Sequence, residues 1–549
     1  MKKVLLLIFI TVIFAGCGIQ KIEDRVSPEF IDGIKRISTK DYFLVEDDGS
    51  KIDLSNYVGK EAFCVSLNLS PNRVNFNKFS GNFGNIDLLS NENTNFDKSI
   101  INSKYIEHPT HLYLQEFNNF FKNKNLSKNA TEIKYAENKD YHVGDKLNIF
   151  YEKNINIDTT ILDFMAECKY VGENCIIWFN NNTNIKDLEK KYNFNNLGNK
   201  FDYLLKLHSE LTSTNYLESK NPNLISFPND YKLNIVLYDI NSNKHANDVV
   251  GYFAPVDYFS NQIYSGSNEG KFIFLDSLFE DGMLSTFIHE YTHLKTFEQK
   301  QLLNNLVYDT WYTEMISMLA QELFENFIVN NNNQNKIVYD RIAQSFYTTR
   351  FGHFSWYNLD SEYVSASYAN HYLFGTYLVH NYGGLDFYKH IINNKYVNIE
   401  SIDDALKNRN SSTFDAFIKF PQILVNCDNS NKEFYSLNKD TNSIFSNNNE
   451  IKVFNAINLK NIFAKIESEM EGYEYKFNKI EKCQEEGEVY YKIYGPSILK
   501  NNYFYEYYEP FGYSVSYIGK IKEGDHLEIT QPKEKDFVTL LMFTNSTTE

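Results

Sequence analysis

Two histidines four residues apart, with a glutamate beside the first, are the residues of this sequence best placed to do chemistry. They lie in Leu284-Ser285-Thr286-Phe287-Ile288-His289-Glu290-Tyr291-Thr292-His293-Leu294. On a helix, positions i and i+4 share a face about one turn apart, so the imidazoles of His289 and His293 would stand side by side. That arrangement suits two vertices of a tetrahedral zinc site. Glu290 is positioned to take a proton from water that such a metal activates. Leu284, Ile288, Tyr291 and Leu294 recur at helical spacing and predict an amphipathic helix packed on a core. With 12 histidines in 549 residues, chance would seldom write this pattern.

A catalytic zinc takes three protein donors and keeps a position for water. The metzincin continuation would need glycine at 296 and histidine at 299, where Thr296 and Gln299 stand. A second predicted helix, residues 311–323, offers Glu314 instead, 21 positions past His293. That separation allows one loop and an antiparallel return. Glu298, turned away from the histidine face, and Glu322, two turns beyond Glu314, compete for the role. Glu314 is the favoured third ligand.

Trp311-x-x-Glu314 followed by the small Ser317 resembles the W-L-N-E-G-x-[AS] segment of gluzincins, zinc peptidases whose third ligand is that glutamate. Tyr312-Thr313 replace the Leu-Asn of that segment. Upstream, Leu237-Tyr238-Asp239-Ile240, Val250-Gly251-Tyr252-Phe253 and Phe272-Ile273-Phe274-Leu275-Asp276-Ser277 are similar to the hyicolysin family of bacterial neutral metallopeptidases, over roughly residues 140–420. The resemblance implies zinc on His289, His293 and Glu314, Glu290 as general base, and a protein or peptide substrate. Tyr368, Tyr377-Leu378 and Gly383-Gly384 match the register of the catalytic tyrosine, aromatic-Leu pair and helix-ending glycines of aminopeptidase-type gluzincins. By that resemblance Tyr368 would donate a hydrogen bond to the oxyanion. His371 and His380 are further candidates in the same stretch. An endopeptidase is the leading expectation. An aminopeptidase is the first alternative, with Glu269 to hold the substrate amine, although the G-x-M-E-N signature is absent. A surface adhesin on a peptidase-derived scaffold is the second, and the intact His/Glu/His set argues against it.

These groups need a scaffold. Strand-like runs recur at 176–179, 233–238, 249–253 and 272–275, helical spacing runs from Leu188 to Leu211, and residues 341–420 read as mostly helical. The strand at 272–275 is a candidate sheet edge for pairing with a substrate backbone. Alternating apolar runs and turns at 46–140 predict a β domain, and aromatic-rich runs at 426–549 a C-terminal β-rich module. The expected fold class is α+β multidomain, with a gluzincin-like catalytic domain at 141–425 built from a mixed sheet and a helical lobe.

The N-terminus reads as an export signal. Lys2 and Lys3 precede an apolar run, residues 4–14, too short to span a bilayer, and Phe14-Ala15-Gly16-Cys17 looks like a bacterial lipobox. The expectation is a lipoprotein signal peptide at 1–16 and a tether at 17–45, lipidated at Cys17. Acyl chains would then anchor the chain in the cell envelope. Gly18 and Ile19 supply no acidic residue after Cys17, which suggests an outer membrane or cell surface. Losing Lys2 and Lys3 takes the formal charge from −17 to −19. So acidic a chain repels phosphate, so nucleic acid is not an expected partner and membrane contact rests on the lipid. Export permits disulfides, and a Cys168–Cys175 hairpin bridge and a Cys427–Cys483 pair are both plausible.

Overall fold

A computed structural model of the chain describes residues 42–44, 51–69, 74–75, 78–82, 109–122, 134–154, 158–180, 188–212, 223–240, 249–280, 282–328, 341–342, 352–356, 361–425, 443–446, 449–454, 457, 480–485, 488–493, 497–500, 507–508, 512–530 and 537–545. The predicted signal peptide, most of the tether with Cys17, and Cys427 lie outside the described residues. No described helix is long and apolar enough to cross a membrane.

The chain divides into two compact units. The first joins Met1–Glu92 to Asn478–Tyr494 and Leu499–Glu549. Its main antiparallel sheet alternates strands from the two ends of the sequence: Tyr42–Leu44, Phe537–Asn545, Lys60–Asn68 and Tyr513–Lys520. Leu54, Ala62, Cys64, Ile521, Leu527, Leu541 and Phe543 form its buried cluster. This departs from two separate β modules. Period-two patterning identifies strands but says nothing of which distant strand completes each ladder.

The second unit, Asn93–Phe477 with Gly495–Ile498, carries the predicted site. Its first described element is helix α1 (Pro109–Lys122), in an interval where the sequence suggested only β structure. A six-stranded sheet follows, from β1 (Lys146–Asn154), β2 (Asp158–Val171), β3 (Cys175–Phe179), β4 (Leu233–Tyr238), β5 (Gly251–Phe253) and β6 (Phe272–Asp276), with α2 (Phe194–Ser209) between β3 and β4. The spatial order is β5-β6-β4-β3-β2-β1. β3, β4 and β6 run parallel to one another, and β5, β2 and β1 complete the mixed sheet antiparallel. β3 to β6 are buried at every position, hence their mostly apolar runs, which only Asn234 and Asp276 interrupt with polar side chains. The β6 strand is therefore not an edge, because β5 covers it. In the β2–β3 hairpin Cys168 pairs in register with Trp178, and Cys168 and Cys175 are free thiols rather than a bridge.

After β6 come α3 (Met283–Thr296), continued by a π-helical turn Phe297–Leu302, and then α4 (Thr310–Leu323). A helical lobe follows: α5 (Ser361–Asn381), α6 (Leu385–Asn393), α7 (Asn398–Lys407) and α8 (Thr413–Val425). Gly383 and Gly384 stop α5 with φ of 116° and 58°, a region that L side chains avoid. α3 packs on β5, β6 and α4, and α4 on α5. Thr286 of α3 lies so close to Gly251 that a Cβ there would sit 2.5 Å from the threonine methyl. Glycine on β5 thus lets the edge strand and the histidine-bearing helix touch.

Candidate metal centre

Helix α3 was expected to be amphipathic, yet it is buried on almost every face, with Leu284 and Tyr291 half-buried. Sheet, α4 and lobe surround it, so its polar residues must find partners inside the protein. α4 is buried from Trp311 to Leu323. These two helices bring His289, His293 and Glu314 together. His289 Nε2 and His293 Nε2 are 3.1 Å apart, His289 Nε2 is 3.1 Å from Glu314 Oε2, and His293 Nε2 is 3.2 Å from Glu314 Oε1.

The outer nitrogens fix what the inner ones offer. Gln321 donates its Nε2 to Ser285 O and Oγ, which turns its Oε1 to His289 Nδ1 at 3.3 Å. In its neutral form the imidazole therefore carries its proton on Nδ1, leaving a lone pair on Nε2. His293 Nδ1 meets Thr313 Oγ1 at 2.9 Å, an oxygen able to accept in the same way. Thr313, one of the two residues that depart from the gluzincin segment, thus orients His293. Tyr312 instead donates to Ile391 O and Ser401 Oγ, tying α4 to the lobe. Glu314 Oε2 is buried without a hydrogen-bond donor among the described residues. Burial alone would raise the Glu314 pKa, whereas positive charge placed among His293, His289 and His111 holds it well below the ordinary carboxylate range. A buried anion facing imidazole lone pairs calls for a cation, so the donor set fits a metal ion.

Glu290, also buried, lies beside His289 and His293, with a donor atom of each of the three within 4.8 Å of the others. Its Oε2 accepts from Thr110 Oγ1 at 2.9 Å. Tyr368 is half-buried on α5; its ring lies 4.9 Å from that of Trp356 and 5.0 Å beneath the Arg341 guanidinium. Trp356 in turn packs 5.3 Å from His111.

The competing residues are committed elsewhere. Glu298 accepts from Lys271 and Lys295, both at 2.7 Å, and from Tyr258 at 2.9 Å. Glu322 accepts from Tyr372, Thr376 and His380, at 2.6 to 2.7 Å. His380 is therefore a partner of Glu322. His371 is sandwiched near Trp356 and Trp311, and burial pushes its imidazole down to about 3 against the pull of Glu314. Glu269 accepts from Lys134 Nζ and from Asn261 N.

Sequence reasoning missed Thr110 and His111, at the start of α1. Both are fully or almost fully buried, and His111 Nε2 contacts Glu314 Oε1. Donor atoms of His111, His293 and Glu314 lie within 4.8 Å of one another. The available signal was the apolar spacing of Tyr113, Leu114 and Phe117 behind Pro109, which marks a helix start.

Fold and site together define a buried His/Glu centre suited to a metal, carried on two packed helices beside a mixed sheet. The family model for Peptidase M30 matches residues 181–425, which run from the end of β3 through α8. That match supports a metallopeptidase, and with it protein or peptide hydrolysis and a metal cofactor. The comparison with curated proteins returned no match.

Proposed function

We propose that this chain is a zinc endopeptidase of the gluzincin type, exported and held at a bacterial cell envelope by lipid on Cys17. The observation that carries the catalytic reading is the meeting of two imidazole Nε2 atoms and the Glu314 carboxylate within about 3.2 Å, with Glu290 beside them. His289, His293 and Glu314 would hold the zinc, with Gln321 and Thr313 keeping the imidazoles turned towards it. When bound, zinc lowers the pKa of water and polarises a carbonyl. Glu290 takes the proton of the attacking water and returns it to the leaving amine. Tyr368 donates a hydrogen bond to the oxygen on which negative charge builds.

The endopeptidase is preferred to the aminopeptidase because Glu269, the candidate amine anchor, is already occupied by Lys134 and Asn261 N. Purified chain, analysed for metal by mass spectrometry and tested on casein and on N-terminally blocked peptides, should contain zinc and cleave internally. A chelator should abolish cleavage. A metal-free preparation that still cleaves, or stepwise trimming from free N-termini alone, would overturn this reading.

A further inference from the structure

A peptidase centre must admit a backbone, yet His289, Glu290, His293 and Glu314 are all buried, none more than 7% exposed. What covers them begins at the first turn of α1. Thr110 Oγ1 donates to the base Glu290 and accepts from Phe253 N at 3.0 Å. Phe253 lies on β5, the edge of the sheet nearest α3. Its amide is the kind of group a substrate strand would use in β-augmentation. The next residue, His111, directs Nε2 to Glu314 among the metal donors. Two consecutive residues therefore occupy the base, a ligand and the sheet edge together.

The rest of α1 clamps this turn in place. Tyr113 stacks on Tyr252 of β5 at 5.7 Å, and Phe117 packs against Phe259 and Phe297 at 4.8 and 4.9 Å. α1 also lies upstream of the stretch that the family model matches.

Resting on the zinc reading above, we infer that Thr110-His111 is a built-in inhibitory plug, with His111 as a fourth protein donor to the zinc. Three protein donors leave zinc a place for water, whereas four close its tetrahedron. With His111 in that place, Glu290 held by Thr110 and the Phe253 amide taken, the closed form is inactive, and basal cleavage comes from the minority of chains in which α1 has opened. Activity requires α1 to leave the edge of the sheet.

The test uses the full-length chain and its His111→Ala, Thr110→Val and His293→Ala variants, loaded with zinc or cobalt(II). In His111→Ala, zinc stays at one per chain, but a chelator should extract it roughly tenfold faster or more, as expected when a group supporting the metal is lost. The visible cobalt spectrum should shift, and cleavage of an internally quenched peptide should rise at least tenfold. Thr110→Val, which preserves volume and leaves the metal donors in place, should raise cleavage severalfold with an unchanged cobalt spectrum. Extraction rate and spectrum unchanged in His111→Ala, or cleavage lowered in either variant, would overturn the plug. Wild type that binds no zinc, or His293→Ala that keeps it, would instead overturn the zinc reading itself.

Discussion

Glu298 and Glu314 are both buried carboxylates beside α3, at 2% and 0% exposure, yet their surroundings differ in one chemical respect. Glu298 is ringed by proton donors: two ammonium groups and a phenol. Against the desolvation that would raise it, Lys271 and Lys295 hold its carboxyl down at about 2. Glu314 faces His289 and His293, whose neutral rings Gln321 and Thr313 turn lone pair inward, and His111 Nε2 beside them. The first is a completed ion-pair cluster that joins β6 to α3. The second is a set of electron-pair donors that only a cation completes. Burial alone would have made the two look alike; the direction of the protons separates them.

The largest effects should come from the Glu314 side. Glu290→Gln should keep the metal and lower hydrolysis by roughly 10²–10⁴-fold, the usual contribution of a general base. Steady-state cleavage and metal analysis read this together, and near-normal turnover would break the mechanism. Glu314→Gln should lose both metal and activity.

On the other side, Glu298→Gln leaves two buried ammonium groups unpaired and should cost about 3–5 kcal/mol. Urea unfolding should give the same loss with and without chelator, whereas the stability cost of Glu314→Gln should vanish once chelator is present. Equal chelator dependence in both variants would erase the distinction.

Acid sharpens it further. Glu298 titrates at about 2 in the fold against 4.5 otherwise, so its contribution is complete above pH 4.5. It is lost as the pH falls from 4.5 towards 2, because the unfolded chain takes the proton first. The loss should reach about 3 kcal/mol, and Glu298→Gln should flatten that slope in unfolding measured across this range. The smallest effect is expected for Thr313→Val and Gln321→Leu, which free the imidazoles to turn. Metal affinity should weaken by roughly 10–100-fold in competition with a chelator. Unaltered affinity would show that the outer hydrogen bonds do not orient the ligands.

Much of this centre was legible in the linear chain because helices are local. The i, i+4 spacing of His289 and His293 predetermines a shared face, Glu314 follows on the returning helix, and Gly383-Gly384 end α5 where expected. The strands at β3, β4 and β6 announced themselves as apolar runs for the same reason. Their neighbours did not. Whether β6 or β5 forms the edge, and that the two ends of the chain share one sheet, depends on pairings between distant segments.

Thr110 and His111 show this most clearly. They meet Glu290 and Glu314 across sequence separations of 180 and 203 residues, which no periodicity encodes. The amino-acid sequence by itself determined the candidate donors on α3 and α4 and their spacing, because both are properties of one or two turns of helix. Tertiary structure alone decided which buried carboxylate receives protons, which faces lone pairs, and which upstream turn covers them. Those outcomes depend on long-range packing, where each contact must offset the entropy of ordering distant chain.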